Sequence, residues 1–323
     1  MQTDTTIDAL TPLRIRRKAT VAADIHLFEL AREDGAELPE FAAGAHIQVR
    51  APNGLIRRYS LCNAPDERKS YTIAVKREDG GRGGSISLAD DTREGDALSV
   101  SLPHNDFTMT GNPASYVFIA GGIGITPILS MARHLMATGG KPFRIYYLAR
   151  TPTMAAFVDE LSAPEFRGKV VIHYDHGDPK QSYDLWPVLE QPRNAHVYCC
   201  GPRGLMEAVR DMTGHWSSAA VHFEDFGAAL AAQAVNNRPF TVRLNRCGRV
   251  IEVPADKTLL ETLAANGVRV ASSCESGTCG SCRTTVLAGE PEHRDLALSE
   301  EDRKTSMLVC VSRAKSDELV LDL

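Results

Sequence analysis

The chain has 323 residues, of which 43% are hydrophobic and 24% are charged, and its formal net charge is −5. This composition is typical of a globular protein of two or three domains, and the dispersed Lys and Arg residues do not favour nucleic acid or an anionic membrane as a partner. No membrane-spanning segment or secretory signal is predicted. We therefore expect a cytoplasmic protein whose eight cysteines do not form a disulfide framework.

The first segment, residues 1–108, is predicted to be a small antiparallel β-barrel. Short runs of alternating apolar and polar residues are separated by turn residues, and the Asn53-Gly54 pair between two of them is a strong hairpin signal. Strands are predicted at residues 45–50, 55–61, 71–76 and 97–102. Short strands at this spacing are typical of a barrel.

The second segment, residues 109–227, alternates between apolar strands and helices. Strands are predicted at residues 116–120, 143–148, 170–174 and 196–200, and helices at residues 127–137 and near residues 155–161. This alternation predicts a doubly wound α/β domain with a parallel sheet, which is a common architecture for nucleotide binding.

A third segment, residues 239–323, follows a predicted linker at residues 228–238. Its first strands are predicted at residues 240–244 and 250–253. Thr258 and Glu261 have the spacing of a capping box, so a helix should begin there and end at Gly267.

Four cysteines of the third segment have the spacing of the ligands of a plant-type [2Fe–2S] cluster. Three share one short loop that carries Gly and Ser, and the fourth comes from a distant position, so that each iron can receive two thiolates besides the bridging sulfides. The predicted ligands are Cys274, Cys279, Cys282 and Cys310. The alternatives are disulfides or a structural zinc site, although zinc sites usually show two closely spaced cysteine pairs.

A glycine-rich turn connects the first strand of the second segment to its first helix. Gly121, Gly122 and Gly124 allow a phosphate-bearing ligand to approach the backbone, and the free N–H groups of a helix N-terminus attract anions. Thr126 and Pro127 begin the helix, where proline is well tolerated. The turn predicts a dinucleotide site, while a tight strand–helix turn without a ligand is the alternative.

Two further positions at predicted strand ends are candidates for the same site. Cys200-Gly201-Pro202 places a thiol where open α/β sheets bind ligands, but a buried cysteine before a turn is the commoner arrangement. Asp175 can accept hydrogen bonds from a ribose 2′-hydroxyl and would repel a 2′-phosphate, which favours NADH over NADPH. A solvated loop aspartate is an equally good interpretation of Asp175.

Two stretches of the first segment suit a flavin ring and its phosphate. Arg57 has a cationic fork, Tyr59 a flat aromatic face and Ser60 a hydroxyl, all at the end of one predicted strand. Residues 80–85 include four glycines and can form a cradle of backbone N–H groups. Taken singly, each stretch is more often a surface strand or a flexible hairpin loop.

Together these motifs resemble the ferredoxin–NADP⁺ reductase superfamily, and their order, with a C-terminal plant-type ferredoxin, is similar to the phthalate dioxygenase reductase family. The resemblance lies in Arg58-Tyr59-Ser60-Leu61-Cys62-Asn63, Ala74-Val75-Lys76-Arg77, Gly81-Arg82-Gly83-Gly84-Ser85, Glu224-Asp225-Phe226-Gly227 and Met307-Leu308-Val309-Cys310-Val311-Ser312-Arg313-Ala314. It covers nearly the whole chain after the first ten residues.

The resemblance implies an NADH-dependent iron–sulfur flavoprotein that serves as the reductase of a Rieske-type oxygenase in aromatic catabolism. It implies an FMN-binding β-barrel, an NADH-binding α/β domain and a β-grasp ferredoxin domain with a [2Fe–2S] cluster, in a monomer. NADH gives two electrons as a hydride and the cluster accepts one at a time, so a flavin must lie between them. Transfer from a plant-type cluster to a Rieske centre is downhill.

The motifs and the resemblance together assign roles to individual residues. Thr126, Cys200 and Phe226 are expected at the hydride-transfer site, where Phe226 would cover the flavin face that nicotinamide must enter. The expected cofactor-binding residues are Arg57, Tyr59, Ser60, Ala74, Lys76, Gly83, Gly84, Ser85, Gly121, Gly122, Gly124, Thr126, Pro127, Asp175, Cys200, Gly201, Pro202 and Phe226.

Two other functions stay open. An FAD-containing reductase of a diiron or acyl-CoA oxygenase has the same domain order, so the identity of the flavin separates it from the first function. A ferredoxin module whose first two domains only dock a partner would bind no nucleotide, and NADH would leave its visible spectrum unchanged.

Overall fold

The computed structural model describes residues 10–81, 83–226 and 237–323. Most of the predicted linker at residues 228–238 lies outside the described residues, as does Gly227 before it. Arg82 of the predicted phosphate cradle also lies outside them. The chain divides into two compact units, Met1–Gly201 and Pro202–Leu323. Within the described ranges, no helix combines the length and the apolar character that a membrane crossing requires.

The first part of the Met1–Gly201 unit is a six-stranded antiparallel barrel. Its elements are β1 (Thr11–Ala22), β2 (Ile25–Ala31), β3 (His46–Arg50), β4 (Ile56–Ser60), β5 (Tyr71–Lys76), α1 (Gly84–Asp90) and β6 (Ala97–Val100). The strand order is β4-β3-β6-β1-β2-β5, and a bridge between Leu61 and Ile73 joins the two edges. Leu13, Phe28 and Ile47 are among the side chains that fill the interior. The predicted barrel is confirmed.

Strands β1 and β2 are absent from the predicted elements, and the sequence of β1 shows why. In its first half only Leu13 and Ile15 are buried, and arginines occupy the positions between and after them. Arg14 and Arg17 form ion pairs on the outer face of the barrel. These charges interrupt the apolar alternation from which a strand is predicted.

The Asn53-Gly54 hairpin is confirmed between β3 and β4. Gly54 has φ +85°, a conformation that glycine adopts without strain, and the Ala51 amide donates to the Leu55 carbonyl oxygen at 2.8 Å. Because the turn fixes the register of the hairpin, it also decides which face of β4 each side chain takes.

The second part of the same unit is a parallel sheet with helices packed against it. Its elements are β7 (Ser115–Gly121), α2 (Ile125–Ala137), β8 (Phe143–Ala149), α3 (Val158–Leu161), β9 (Val170–Tyr174), α4 (Trp186–Leu189) and β10 (Ala195–Cys200). These four strands have the order β10-β7-β8-β9 and run parallel. The order reverses between β7 and β10, and ligands of such sheets bind beyond the carboxyl ends of the strands at this reversal.

Helix α3 is shorter than the predicted helix near residues 155–161. Phe157 has φ +62°, a left-handed conformation that an α-helix cannot contain, so the helix begins only at Val158. The residue before it, Ala156, donates its amide to the Tyr147 hydroxyl at 3.0 Å. This contact holds the turn against β8.

The Pro202–Leu323 unit begins with α5 (Arg203–Met212) and β11 (Val221–Glu224), neither of which is among the predicted elements. The remaining elements are β12 (Phe240–Leu244), β13 (Val250–Val253), α6 (Leu259–Ala265), β14 (Arg283–Ala288), β15 (Pro291–Glu292), α7 (Glu300–Arg303), β16 (Ser306–Leu308), β17 (Arg313–Ala314) and β18 (Glu318–Leu321). A mixed sheet has the order β13-β12-β18-β14-β16, with β12 and β18 parallel. Leu259 and Leu263 of α6 pack into its core, and the predicted β-grasp fold of the third segment is confirmed.

The predicted capping box at the start of α6 is confirmed. The Thr258 hydroxyl accepts a hydrogen bond from the Glu261 amide at 3.0 Å, and the Glu261 carboxylate accepts one from the Thr258 amide at 2.8 Å. Gly267 follows the helix with φ +76°, which ends it where the sequence predicts.

Candidate functional site

Strand β4 places the predicted flavin residues on alternate faces. Ser60 is buried in the barrel wall, whereas Arg57 and Tyr59 share the other face. Arg57 lies against the start of α1, because a Cβ atom at Gly84 would be 3.0 Å from both Cγ and Nε of Arg57. A glycine at this position therefore allows the guanidinium to approach the helix.

The start of α1 is built from the predicted glycine-rich cradle. Gly83 precedes the helix with φ +85°, and its carbonyl oxygen accepts a hydrogen bond from the Asn53 side-chain amide at 3.0 Å. Ser85 lies in the first turn, where its hydroxyl accepts from the Glu78 amide at 3.1 Å. This part of the cradle is a helix start with Arg57 beside it, and not the flexible hairpin loop of the alternative interpretation.

The Tyr59 hydroxyl is the clearest sign that this surface takes a ligand. It is buried and has no hydrogen-bond partner among the described residues. Burial raises the pKa of Tyr59 to about 12, so the group stays a neutral hydroxyl that can donate and accept. Buried polar groups are normally hydrogen-bonded, so a bound molecule with polar groups fits this position.

The other two predicted flavin residues lie on β5. Ala74 is buried and packs in one cluster with Cys62 and Ile123, where the barrel meets the glycine-rich turn of the α/β domain. Lys76 forms an ion pair with Glu78. The end of β5 is therefore held by the apolar cluster at Ala74 and by the ion pair with Glu78 at Lys76.

The glycine-rich turn and the cysteine motif meet at the reversal of strand order. A Cβ atom at Gly124 would lie 2.1 Å from the Cys200 carbonyl oxygen and 2.9 Å from the Gly201 amide nitrogen, so only glycine fits. A Cβ atom at Gly122, whose φ is +54°, would meet nothing within 4 Å. The turn is therefore tight on the protein side and has open space beside Gly122, as a backbone ligand site requires.

Thr126 and Pro127 lie in the first turn of α2, as predicted. Thr126 is buried, and its hydroxyl donates to the Ile123 carbonyl oxygen at 3.0 Å. This bond fixes the side chain within its own turn and leaves the hydroxyl oxygen as an acceptor.

The structure places the Cys200 thiol and Asp175 away from the glycine-rich turn. The Cys200 side chain is fully buried in the core of the α/β domain, so its main chain rather than its thiol meets Gly124. Asp175 follows β9, and β8 lies between β9 and β7. Its carboxylate accepts from the Gly177 amide at 2.8 Å and thus closes its own turn.

Helix α2 also holds the loop that follows β4, a contact that the sequence does not reveal. The Ser130 hydroxyl donates to the Asn63 carbonyl oxygen at 2.8 Å, and Arg133 donates to the Cys62 carbonyl oxygen at 2.8 Å. The same guanidinium pairs with Glu160 at 2.8 and 2.6 Å. The helix of the nucleotide turn is therefore fixed to the strand that carries Arg57, Tyr59 and Ser60.

The four predicted cluster ligands form two pairs. Cys279 contacts the Cys274 sulfur, and Cys310 contacts the Cys282 sulfur. None of the eight cysteines is joined to another by a disulfide bond. The two pairs suit two irons that each take two thiolates.

The loop around the first pair points backbone N–H groups at sulfur. The amides of Ser276 and Cys279 both lie 3.4 Å from the Cys274 sulfur. A hydrogen bond from the Cys279 side chain, together with hydrogen bonds from Ser276 and Thr278, lowers the pKa of Cys274 to about 4. Gly277 and Gly280 have φ +77° and +78°, which lets the loop fold tightly around its sulfurs. Such donors tune the potential of a cluster.

Comparison with known proteins identifies three regions. Residues 12–109 match a family described as an oxidoreductase FAD-binding domain, residues 118–211 an oxidoreductase NAD-binding domain, and residues 242–315 a 2Fe-2S iron-sulfur cluster binding domain. The chain is 56% identical over 317 residues to phthalate dioxygenase reductase of Burkholderia cepacia, covering 98% of each chain. The chain belongs to the phthalate dioxygenase reductase family. It is an iron–sulfur flavoprotein oxidoreductase, as the sequence predicts.

Two further comparisons agree with membership of the phthalate dioxygenase reductase family. The reductase subunit of phthalate 4,5-dioxygenase from Pseudomonas putida is 53% identical, again over 98% of each chain. A solved structure of phthalate dioxygenase reductase, described as a modular structure for electron transfer from pyridine nucleotides to [2Fe–2S], is 55% identical. It has a TM-score of 0.69, with 97% of this chain and 98% of that chain covered. The predicted fold class and family are confirmed.

The residues of this phthalate dioxygenase reductase relative fit the groups that the three regions imply. A flavin finds a cationic fork at Arg57, a helix start at Gly84 and the unpartnered Tyr59 hydroxyl. A dinucleotide finds open space at Gly122. Phe226 lies two residues after β11, and the residue is 48% exposed. A large aromatic side chain with that exposure is available to cover a ligand.

Proposed function

We propose that this protein is the NADH-dependent reductase component of a Rieske-type oxygenase. The observation that carries the proposal is its identity of 56% with phthalate dioxygenase reductase over 98% of both chains, which spans all three matched regions. In this proposal the barrel would hold FMN, the α/β domain would hold NADH and the four cysteines would hold a [2Fe–2S] cluster, and together these groups would supply the conversion of a two-electron hydride into single electrons for the oxygenase. The proposed reductase works as a cytoplasmic monomer that meets its partner transiently.

The barrel residues would bind and orient the flavin. Arg57 and the start of α1 at Gly83, Gly84 and Ser85 would hold the phosphate, because a guanidinium fork and backbone N–H groups both recognise its oxygens. Tyr59 would donate to or accept from the polar chain of the flavin, which gives its hydroxyl a partner. Ser60, Ala74 and Lys76 would line the ring on the neighbouring wall.

The α/β domain would bring nicotinamide to the ring. Gly121, Gly122, Gly124 and Pro127 would form the backbone cradle for the pyrophosphate, which is supported by the open space beside Gly122. Thr126, Cys200-Gly201-Pro202 and the lid residue Phe226 would border the hydride-transfer site. Asp175, which follows the edge strand β9, would contact the ribose, and its negative charge would favour NADH over NADPH.

The four cysteines would hold the cluster as Cys274 with Cys279 on one iron and Cys282 with Cys310 on the other. The pairing of their sulfurs supports this assignment. The protein would contribute the N–H groups of Ser276 and Cys279 to the same sulfur, and these favour the thiolate form that iron requires.

An anaerobic titration of the purified protein with NADH tests the proposal. We expect loss of flavin absorbance followed by a rhombic [2Fe–2S]⁺ signal in the EPR spectrum. Flavin released from the same sample should be FMN. If FAD is released instead, the reductase of a diiron or acyl-CoA oxygenase becomes the better assignment. If flavin and cluster are present and NADH changes neither, the chain is a carrier that another protein reduces.

The oxygenase partner needs its own test. An oxygenase with a Rieske centre should be reduced by NADH only when this protein is present, and a diiron oxygenase should not. Size-exclusion chromatography with light scattering should give a mass near 35.1 kDa, the mass of one chain. The Rieske assignment would be overturned if this protein reduced the diiron oxygenase and did not reduce the Rieske oxygenase.

A further inference from the structure

One arginine of the Pro202–Leu323 unit makes contacts that the roles above do not use. Arg203 is the first residue of α5 and follows the Cys200-Gly201-Pro202 motif directly. Its Nε donates to a Glu207 carboxylate oxygen at 2.8 Å, and a terminal nitrogen lies 3.6 Å from an Asp225 carboxylate oxygen. The other terminal nitrogen donates to the Arg294 carbonyl oxygen at 2.8 Å. One rigid guanidinium fork thus joins three points of the chain.

The Arg294 carbonyl belongs to a short segment, residues 294–296, that also contacts the loop of the predicted cluster ligands. The Leu296 amide donates to the Gly277 carbonyl oxygen at 3.0 Å. A Cβ atom at Gly277 would lie 3.2 Å from the Cα atom of Asp295, so the two backbones are in direct contact. The 294–296 segment is therefore held by Arg203 at one end and by the cluster loop at the other.

Buried groups hold the 294–296 segment along its length. The Arg294 amide donates to the Ser312 hydroxyl at 3.2 Å, and Ser312 lies two residues after Cys310. Asp295 is fully buried, and its carbonyl oxygen accepts from Arg303 at 2.9 Å. Because the segment is tightly packed, a displacement of Arg294 would also displace the loop of the predicted cluster ligands.

We propose that Arg203 is a positioning residue for electron transfer into the cluster. The inference rests on the proposed function, in which electrons enter at the nucleotide site and leave through the cluster. Arg203 ties α5 and the segment that ends in Phe226 to the segment that supports the cluster loop. In the step concerned one electron leaves the reduced flavin and enters the oxidised cluster, and no bond forms or breaks. The rate of this electron transfer depends on how firmly the protein fixes the position of the cluster.

Two substitutions on the same helix separate positioning from a general effect of charge. Arg203→Met keeps an unbranched side chain but removes all three contacts. Arg210→Met is the matched control, because the Arg210 side chain is 32% exposed against 31% for Arg203 and, within the described part of the chain, its guanidinium donates only to the neighbouring Asp211. Arg203→Lys keeps the charge, but an ammonium lacks the planar fork that spans the three partners.

Anaerobic stopped-flow mixing with NADH, which follows flavin and cluster absorbance separately, measures the effect. We expect Arg203→Met to slow the flavin-to-cluster step by about tenfold, the change that the loss of one charge-assisted hydrogen bond makes in an equilibrium constant. Flavin reduction by NADH and the midpoint potential of the cluster should not change. Arg203→Lys should fall between Arg203→Met and the wild type, and Arg210→Met should match the wild type.

Hydrogen exchange gives a readout that is independent of electron transfer. The amides of Arg294 and Leu296 should exchange about tenfold faster in Arg203→Met than in Arg210→Met, because the segment loses its bond to α5. Protection of α6 and β12, which contain none of the three partners of Arg203, should stay the same. Unchanged exchange at both amides would overturn the structural half of the inference.

Three results would contradict the positioning role. Wild-type electron transfer in Arg203→Met overturns it, and equal slowing of both steps would instead place Arg203 at the nucleotide site. If Arg203→Met does not fold, Glu207→Gln removes only the charge that orients the guanidinium, and an unchanged flavin-to-cluster rate in that variant overturns it as well. Failure of the proposed function is distinct, since NADH would then not reduce the flavin of the wild-type protein.

Discussion

At the scale of single residues, Tyr59 and Gly124 show how the Met1–Gly201 unit is suited to bind ligands. The Tyr59 hydroxyl is buried without a partner in the described part of the chain, and such a group costs about 1–3 kcal/mol in a protein without its ligand. Gly124 shows the opposite requirement, because a single added carbon would collide with the Cys200 carbonyl oxygen. The Tyr59 hydroxyl is thus available to hydrogen-bond a ligand, whereas Gly124 lies too close to neighbouring backbone for any side chain.

Tyr59→Phe should weaken flavin binding and stabilise the flavin-free protein. The bound flavin would lose one hydrogen bond, which lowers its affinity by about tenfold, whereas the flavin-free protein would gain about 1–3 kcal/mol because a buried unsatisfied group is gone. Flavin fluorescence titration and urea unfolding measure the two effects. Tyr71→Phe is the control, since the Tyr71 hydroxyl already donates to the Pro39 carbonyl oxygen at 2.7 Å. That change should destabilise the barrel and leave flavin affinity as it is.

Gly124→Ala should abolish rapid flavin reduction by NADH while flavin remains bound. The new methyl group must displace either the glycine-rich turn or the backbone at Cys200, which costs about 1–3 kcal/mol and distorts the predicted nucleotide site. Gly204→Ala is the control, because a Cβ atom there has open space. Stopped-flow reduction with NADH and thermal unfolding measure the effects. Normal reduction in Gly124→Ala would remove the glycine-rich turn from the nucleotide site.

At the scale of elements, local patterns predict what local forces determine. The predicted bounds of β5, β9, β12 and β13 equal the observed bounds, because apolar runs between clear turn residues leave few alternatives. Helix α5 and strand β1 lack that contrast and are missed. The bonds from α2 to residues 62–63 join positions about 70 residues apart, and no periodicity within either stretch announces them. The four cluster ligands, in contrast, are predicted from cysteine spacing alone.

Arg133→Met should loosen α2 from the barrel. The Arg133 and Glu160 side chains are 24% and 33% exposed, so their bidentate pair is partly screened and we expect a loss of about 1–2 kcal/mol in the free energy of unfolding. Urea unfolding of Arg133→Met, Glu160→Gln and the double variant gives the coupling between the two side chains. The bond to the Cys62 carbonyl oxygen should make Arg133→Met the more damaging single change. Equal effects of the two single changes would contradict a role for that bond.

At the scale of the whole molecule, the chain separates the residues of its chemistry between two units. The predicted flavin residues and the glycine-rich turn lie in Met1–Gly201, and all four predicted cluster ligands lie in Pro202–Leu323. The boundary falls directly after Cys200 and Gly201, so the sequence around the nucleotide site leads straight into the unit of the cluster. This arrangement predicts that the cluster can be lost without loss of the first chemical step.

Cys282→Ser should remove the cluster and keep NADH-driven flavin reduction. Serine is a poor replacement for a thiolate ligand, and one iron would lose half of its protein ligands, so iron content and the EPR signal should fall to background. The Pro202–Leu323 unit should also become less stable, since metal binding contributes to the folding of small metal domains. Cys247→Ser is the control, because Cys247 is exposed in the hairpin between β12 and β13. If a folded Cys282→Ser protein no longer reduces its flavin, the two steps are not divided between the units as the positions of their residues predict.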